Sequence, residues 1–309
     1  MDIVDTASGR PVISRQIGLV RSVAIAFLSL LSACTLASDA GNAQGIGRFA
    51  LDSGSLQQWT LPKKLKEISG LALTPDDRLF AVADEKANIY ELDYQRGEII
   101  KKFALGSPTI RDDFEGIAYL NDLIYIVTSS GRIFEFAEGN DGDRVQFKAY
   151  PTALGSYCEV EGLAQDAKTD TLLVSCKRNR ASGKRADLSI FVWSPTTGEF
   201  IREREITVPQ RAIAEKIGKK RLSPSAVAID PETGDLYGVA GPQQAIFQLK
   251  PNGEPIDAII LPLANRHRQP EGIEITRDGK LLIADEGGKK KARLSVYAPG
   301  HNKTTDQQK

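Results

Sequence analysis

The sequence is poor in the side chains that most often bind transition metals or act as nucleophiles. Its 309 residues include two histidines, three cysteines and one methionine, which is the first residue. This composition excludes most histidine- and cysteine-based metal chemistry. His267 is the only histidine between residues 47 and 299, and no G-x-S-x-G element is present. The sequence therefore argues against a Ser-His-Asp hydrolase.

The chain also lacks an excess of charge of either sign. Forty Lys and Arg residues balance 40 Asp and Glu residues, so the formal net charge is zero. Proteins dedicated to nucleic-acid binding are usually basic, and we expect no nucleic-acid partner. Hydrophobic residues make up 41% and charged residues 26%, which is typical of a folded globular protein long enough to bury a large core.

The apolar run near the N-terminus is too short to cross a bilayer. It spans residues 22–31 and follows Arg10, Arg15 and Arg21. A membrane-spanning helix needs about 20 apolar residues, whereas a run of this length after basic residues is typical of a secretory signal peptide. Because the region before this run is long and carries Asp2 and Asp5, we expect translation to start further along than Met1.

A cysteine follows this run directly. The segment Leu31-Ser-Ala-Cys34 resembles the bacterial lipobox, in which the cysteine receives a lipid; an ordinary signal peptide is the alternative. We expect a lipoprotein signal peptide over 1–33, lipidation of Cys34 and a tether over 34–46. Several acyl chains would anchor the protein stably to a membrane. Because Thr35 is not Asp, a periplasm-facing position in the bacterial cell envelope is predicted, with the outer membrane favoured over the inner.

One unit is repeated five times along the rest of the chain. In each copy, glycine or alanine follows an acidic or polar residue by three positions, and an apolar strand continues from there. The five copies are Glu67–Gly70, Asp113–Gly116, Glu159–Gly162, Ser223–Ala226 and Gln269–Gly272. Second and third apolar strands follow each anchor. Repeats of 40–50 residues with four short strands are the signature of β-propeller blades.

The repeat predicts an all-β fold, a single β-propeller over 47–299. We expect five four-stranded blades, with six as the alternative, and a polar tail over 300–309. The fifth copy ends after its third strand, and residues 56–62 have the pattern of the missing fourth strand. We therefore expect the N-terminal strand to close the ring.

Several motifs resemble those of a known family. The segments Glu159-Val-Glu-Gly162 with Leu172-Leu-Val-Ser-Cys-Lys177, Asp113-Phe-Glu-Gly116 and Pro270-Glu-Gly-Ile273 are similar to the SdiA-regulated (YjiK-like) family of bacterial envelope β-propellers, which is related to NHL-repeat proteins. The resemblance implies a propeller fold, calcium binding and no established enzymatic activity.

The anchors bring acidic residues to the mouth of the central channel, where the innermost strands begin. Residues two apart on a strand point the same way, so two layers of side chains converge there. Oxygen ligands favour calcium over softer metals. We expect the metal ligands among Glu67, Asp113, Glu115, Glu159, Glu161 and Glu271. The alternative is that these acids cap turns or accept hydrogen bonds from backbone amides. In the fourth copy, Ser223 and Ser225 stand at the positions where most other copies carry acids, so a complete acidic ring is not expected.

Charged loops surround this mouth. The loops after the second strands add Asp84, Glu85, Asp285 and Glu286, and basic insertions add Lys177, Arg178, Lys219 and Lys220. We interpret them as a ligand rim that recruits an anionic ligand or an envelope protein, the alternative being an ordinary solvated surface.

The remaining two cysteines fall at opposite ends of two adjacent strands in the third copy. The hairpin between them brings Cys158 and Cys176 nearly level, and an oxidising periplasm favours disulfides. We predict a disulfide between them.

Three functions remain open at this point. The first is a membrane-tethered, calcium-binding propeller that binds a ligand or protein partner on its channel-mouth face, without catalysis. The second is a calcium-dependent hydrolase of the lactonase or phosphoesterase type, with Glu115 or Glu161 as general base. The third is an envelope scaffold without a metal. The interrupted acids of the fourth copy favour the binding protein over the enzyme.

Overall fold

The computed structural model describes residues 45–300 except 53, 55 and 181–186, and omits the side chains of Arg178 and Ala264. The predicted signal peptide, Cys34 and nearly all of the tether and tail lie outside the described residues. In the described part of the chain, 22 strands form five antiparallel sheets, which are the blades of one β-propeller. The predicted all-β fold and the count of five blades are confirmed.

Each blade contains four strand positions, which follow the chain from the channel outward. Blade one contains β2 to β5: Ile68–Leu73, Leu79–Ala83, Lys86–Asp93 and Glu98–Leu105. Blade two contains β6, β7, β8 and β10: Phe114–Leu120, Leu123–Thr128, Ile133–Ala137 and Lys148–Tyr150. Blade three contains β11 to β15: Cys158–Asp166, Thr171–Asn179, Asp187–Ser194, Glu199–Phe200 and Ile206–Pro209.

The last two blades follow the same plan. Blade four contains β16 to β19: Ala226–Ile229, Leu236–Ala240, Ala245–Leu249 and Pro255–Ile260. Blade five contains β20, β21, β22 and β1: Pro270–Ile275, Leu281–Asp285, Arg293–Tyr297 and Gln57–Thr60. Its outermost strand thus comes from the N-terminal side, with Gln57 opposite Val296 and Thr60 opposite Arg293.

Two blades carry short additional strands. The two-residue strand β9, Arg144–Val145, leaves the connection within blade two and pairs in parallel with β5 of blade one. In blade three, β14 and β15 both pair with β13 and divide the outermost position between them. The four-strand plan of the repeat is therefore kept, with local departures at the outer edges.

Helices are short and lie in the connections. The α-helices α1 and α2 are Leu154–Tyr157 and Gln210–Ala214. Single 3-10 turns occupy Ile46–Arg48, Lys63–Leu65, Arg202–Arg204, Glu215–Ile217, Gly241–Gln243 and Leu263–Asn265. No helix of the described residues is long and apolar enough to cross a membrane.

The segment before β1 packs on the propeller. Ile46 and Phe49 are buried in the cluster that joins blades four and five. Phe49 also pairs with Pro299, beyond the last strand. Burial at Ile46 means that the end of the predicted tether belongs to the packed structure.

Glycine in the repeat lets neighbouring inner strands approach closely around the channel. A Cβ atom on Gly116 of β6 would lie 2.6 Å from the backbone nitrogen of Leu163 in β11. One on Gly70 of β2 would lie 3.0 Å from the Cα atom of Gly116. Real Cβ atoms essentially never come this close to backbone atoms, so packing of adjacent blades requires a residue without a side chain here.

Apolar side chains fill the spaces between blades. One cluster joins blades one and two through Phe80, Phe103, Phe114, Phe134 and other buried residues. Another packs blades two and three around Trp193, which is in edge contact with Tyr125 and Tyr150. Each blade is therefore stabilised by its neighbours on both faces, as expected when stacked repeats share one core.

The predicted disulfide is present in blade three. Cys158 in β11 and Cys176 in β12 are bonded, with their Cα atoms 5.8 Å apart, and both side chains are fully buried. The bond ties the start of the inner strand to the end of its neighbour, at the mouth of the channel.

The close approach of the inner strands predicts that a side chain at a repeat glycine destabilises the protein. Replacing Gly116 by Ala should lower the free energy of unfolding by about 1–3 kcal/mol, because the new methyl group meets backbone atoms that cannot move without separating two blades. Gly47→Ala is the control, since a Cβ atom there meets nothing within 4 Å. Urea unfolding of both variants measures the effect, and equal stabilities would contradict it.

Candidate functional site at the channel mouth

A β-bulge recurs at the start of four inner strands. In blades one, two, three and five the pairing register shifts just before the repeat glycine, so one residue of the inner strand is left without a direct partner. In blades two and five that residue is Glu115 and Glu271, and in blade three Glu161 lies within the shift. Bulges often re-aim side chains next to functional sites. In blade four the described pairing is regular, and Ser225 precedes it.

The charges of these glutamates act on one another across the channel. The neighbours that affect Glu115 include Glu161, Asp113, Asp84 and Glu271, which come from four different blades or loops. We call Glu115, Glu161, Glu271, Asp84 and Asp113 the acidic funnel. Glu161 and Glu271 thus lie near enough to Glu115 for their charges to act on it.

Burial raises the proton affinity of the funnel glutamates Glu115 and Glu271, and repulsion from neighbouring acids adds to it. Burial, followed by the charges of Glu161 and Asp113, raises the pKa of Glu115 well above its usual range. Burial also raises the pKa of Glu271, although hydrogen bonds from Gln269 and Ser225 oppose the rise. The funnel is thus short of positive charge.

Lys177 supplies one positive charge inside the funnel. Its Nζ atom donates to Oε1 of the buried Glu161 at 2.8 Å. Burial raises the pKa of Glu161 despite this contact. Burial disfavours the Lys177 ammonium, yet its bond to Glu161 and the nearby acids leave the pKa of Lys177 raised. Lys177, predicted on the rim, therefore belongs to the centre of the site.

Asp84 and Asp113 form a carboxyl pair at the junction of blades one and two. Burial and a hydrogen bond with Asp113 raise the pKa of Asp84, as expected when two carboxyls share one proton. The backbone holds this junction, because Phe114 N donates to Asp84 O at 2.9 Å. Among the described residues, no basic side chain bonds to Asp84, Asp113 or Glu115.

Other predicted residues lie further out. Glu67 is half-exposed beside Lys66, with 3.7 Å between charged atoms, and Glu85 is exposed beside Arg111 at 3.5 Å. Burial and the charge of Glu67 raise the pKa of Glu286, which lies at the edge of the funnel. Glu159, in the first layer of acids, interacts electrostatically with both Glu161 and Lys177.

Asp285 occupies an interior position instead of the predicted rim. Its carboxylate contacts His267 Nδ1 at 2.7 Å and accepts a hydrogen bond from the backbone of Arg268 at 2.9 Å. His267 in turn contacts the hydroxyl of Tyr297. All three side chains are buried, so Asp285 anchors the loop before β20 and is not available to a ligand.

Two basic grooves border the funnel on the face where the inner strands begin. The first, about 800 Å³, is lined by Lys219, Lys220, Arg221, Gln243 and the exposed Leu263, between blades four and five. The second, about 840 Å³, is lined by Lys63, Lys64, Lys66, Lys290 and Lys291, between blades five and one. The side chain of Arg178, also predicted here, lies outside the described residues.

The donor set suits a hard cation only in part. Carboxylate oxygens are the ligands that calcium prefers. Within the described ranges, however, no three Asp, Glu, His or Cys side chains lie close enough to hold one ion together. Of the funnel acids, Asp84 and Asp113 form the closest described carboxyl pair, and a calcium ion there would need water or backbone oxygens to complete its shell.

Sequence and structure comparisons agree with this fold. Residues 53–182 match the model of the SdiA-regulated family, so the family resemblance is confirmed over blades one and two and the first two strands of blade three. No curated protein matches the sequence significantly. Glutaminyl cyclase from Myxococcus xanthus has a similar structure, with 13% identity, a TM-score of 0.53, and coverage of 79% of this chain and 94% of its own.

Two further solved structures are more distantly similar. A streptogramin B lyase has 15% identity and a TM-score of 0.46, covering 78% of this chain and 97% of its own. The PQQ-bound aldose sugar dehydrogenase from Streptomyces coelicolor has 12% identity and a TM-score of 0.45, covering 78% and 98%. At 13% identity, the likeness to glutaminyl cyclase supports the propeller fold and says nothing about activity.

The raised pKa of Glu115 has a consequence for stability. The folded protein keeps a proton on Glu115 that the unfolded chain releases above the ordinary carboxyl value of 4.5, so stability falls as the pH rises beyond it. Glu115→Gln removes this loss. We expect the variant to be more stable than the parent by at least about 1 kcal/mol at pH 8, with a smaller gain at pH 5.

Urea unfolding at both pH values measures the gain, and Glu85→Gln serves as the control. Glu85 is an exposed carboxylate on the same face and should change stability little at either pH. A Glu115→Gln effect of the same size at pH 5 and pH 8 would show that burial does not perturb this carboxyl.

Proposed function

We propose that this chain, which belongs to the SdiA-regulated family through residues 53–182, is a lipid-anchored binding protein of the bacterial cell envelope. Its acidic funnel would take up a cation, calcium being the expected ion, and its basic grooves would bind an anionic ligand or an envelope protein. The observation that carries the proposal is the shortage of positive charge in the funnel.

The blade-one and blade-two side of the funnel would be the cation site. Asp84 and Asp113 share a hydrogen bond there, and Glu115 stands behind them with a raised pKa. On the blade-three side, Lys177 already neutralises Glu161. A bound cation would take the place of the hydrogen bond between Asp84 and Asp113, and it would relieve the repulsion that contributes to the raised pKa of Asp84.

The basic grooves would hold the anionic partner. Lys219, Lys220 and Arg221 lie beside Leu263, which is 82% exposed. Lysine and arginine attract anionic groups, while an exposed leucine gains from contact with an apolar one. A phosphorylated glycolipid of the envelope has both kinds of group.

A calcium-dependent hydrolase of the lactonase or phosphoesterase type is the second candidate. The observation in its favour is that burial raises the pKa of both Glu115 and Glu161, since perturbed carboxyls of this kind are common in active sites. Either residue would be a candidate for the general base.

Calcium titration tests the cation site. If the mature protein binds calcium, saturation at about 100 times the Kd should stabilise it by about 2.7 kcal/mol, seen as a higher melting temperature. Asp84→Asn and Asp113→Asn should each abolish most of this rise. Asp112→Asn is the matched control, because Asp112 neighbours Asp113 in sequence but faces Arg132 at 3.5 Å.

A melting temperature that responds neither to calcium nor to a chelator would remove calcium from the proposal. Where calcium does bind, turnover of lactone or phosphate-ester substrates separates the two functions. Hydrolysis lost in both Asp113→Asn and Glu115→Gln would favour the hydrolase, and the absence of turnover favours the binding protein.

The lipid anchor has its own test. Full-length protein expressed in a bacterial host should sediment with the membranes and partition into detergent, because several acyl chains on Cys34 hold it there. Cys34→Ser should move it to the soluble fraction or leave it unprocessed. Equal partitioning of parent and variant would argue for an ordinary signal peptide.

A further inference from the structure

The other end of the channel contains a second cavity, of about 460 Å³. All five inner strands contribute to its wall through their last or next-to-last residues: Leu73, Tyr119, Gln165, Ile229 and Ile275. Because the acidic funnel lies where these strands begin, the cavity is at the opposite mouth. Its volume falls within the range of small-molecule sites.

Two polar residues in this cavity depart from the repeat. Two positions after the repeat glycine, blades one to four carry alanine, at 72, 118, 164 and 228, whereas blade five carries Glu274. At the next position, where the other blades carry Leu, Tyr or Ile, blade three carries Gln165. The packing of a blade therefore requires neither polar group.

The two side chains meet across the channel. Gln165 Nε2 lies 3.4 Å from Glu274 Oε1 and 3.5 Å from the backbone oxygen of Leu73, so blade three reaches both blade five and blade one. Glu274 is buried, with 4% of its surface exposed. No basic side chain of the described residues forms an ion pair with it.

Both groups have unused capacity to accept hydrogen bonds. Gln165 Oε1 is buried and has no hydrogen-bond partner among the described residues. Burial raises the pKa of Glu274 to about 8 even though hydrogen bonds from Gln165 and from the backbone of Ile275 and Leu73 favour its carboxylate form, since no basic side chain of the described residues pairs with it. Buried acceptors without partners are costly, and a ligand that donates to both relieves that cost.

We propose that this second cavity binds a small molecule through a primary ammonium group, which Glu274 and Gln165 hold. An ammonium group has three N–H donors and a positive charge, so one such group can satisfy the carboxylate and the amide oxygen together. Leu73, Ile229 and Ile275 offer an apolar wall to the carbon chain of the ligand. A water molecule satisfies the amide but leaves the carboxylate uncompensated.

Calorimetric titration of the mature protein with cadaverine tests the proposal, and 1,5-pentanediol is the neutral probe of the same length. We expect heat from cadaverine and none from the diol. Glu274→Gln keeps the shape of the side chain, and Gln165→Leu introduces the residue of blade one, so both variants should fold. Each should weaken cadaverine binding at least tenfold.

The pH dependence separates this site from nonspecific attraction. Because the ammonium group needs the carboxylate form of Glu274, cadaverine affinity should rise between about pH 6.5 and 8.5. The other charged groups that line the cavity are Asp77, Asp166, Lys168, Asp230, Glu232 and Arg277. Asp230 and Glu232 share Arg48, and Asp166 pairs with Arg204. With Arg48 and Arg204 included, the four acids and four bases around the cavity sum to no net charge.

Glu135→Gln is the matched control and should bind cadaverine like the parent protein, because Glu135 is a buried glutamate of blade two that pairs with Lys148, outside both sites. Binding lost in Asp113→Asn of the acidic funnel but kept in Glu274→Gln would place the amine in the funnel and overturn the proposal. The absence of cadaverine binding, or equal binding of the diol, would also overturn it. None of these results depends on calcium in the funnel.

Discussion

The close approach of the inner strands around the channel is the constraint on which the rest of the molecule depends. Gly116 lies against Leu163 of the next blade, and Gly70 lies against Gly116. With the inner strands this close, the apolar residues that follow the glycines seal the spaces between blades. The residue before the glycine is displaced by the bulge, and the funnel glutamates Glu115, Glu161 and Glu271 occupy that position. Packing and site geometry therefore share one origin.

The two mouths of the channel differ in how their charge is balanced. At the funnel, acids from several blades repel one another, and Lys177 is the basic residue described in contact with them. At the opposite mouth, the buried carboxyl of Glu274 faces an amide and has no ion pair among the described residues. Both mouths hold carboxyl groups that are poorly solvated. Proteins retain buried carboxyl groups of this kind mainly where a cation or a proton is to be bound. All inner strands begin at one mouth of the channel and end at the other. Each mouth therefore gathers a different set of repeat positions, and the channel offers two such sites.

Much of the architecture could be predicted because the repeat encodes it locally. The spacing of the glycines predicted five blades, and the strand pattern predicted the contribution of residues 56–62 to the last blade. The disulfide followed from two cysteines on adjacent strands of one hairpin. The acid-x-acid-Gly pattern likewise predicted which glutamates converge, since equivalent positions in a ring of repeats occupy one layer.

Individual partners could not be predicted in the same way. Lys177 extends from its strand to Glu161, and Asp285 turns inward to His267, although both were expected on the rim. Gln165 meets Glu274 although 109 residues separate them. The sequence by itself determined the blades, their order and the layer in which each acid lies, because periodicity specifies these. Only the tertiary structure decided which charged side chains touch. Whether a long side chain reaches a partner across the channel depends on the distance between blades, and a repeat pattern does not contain that distance.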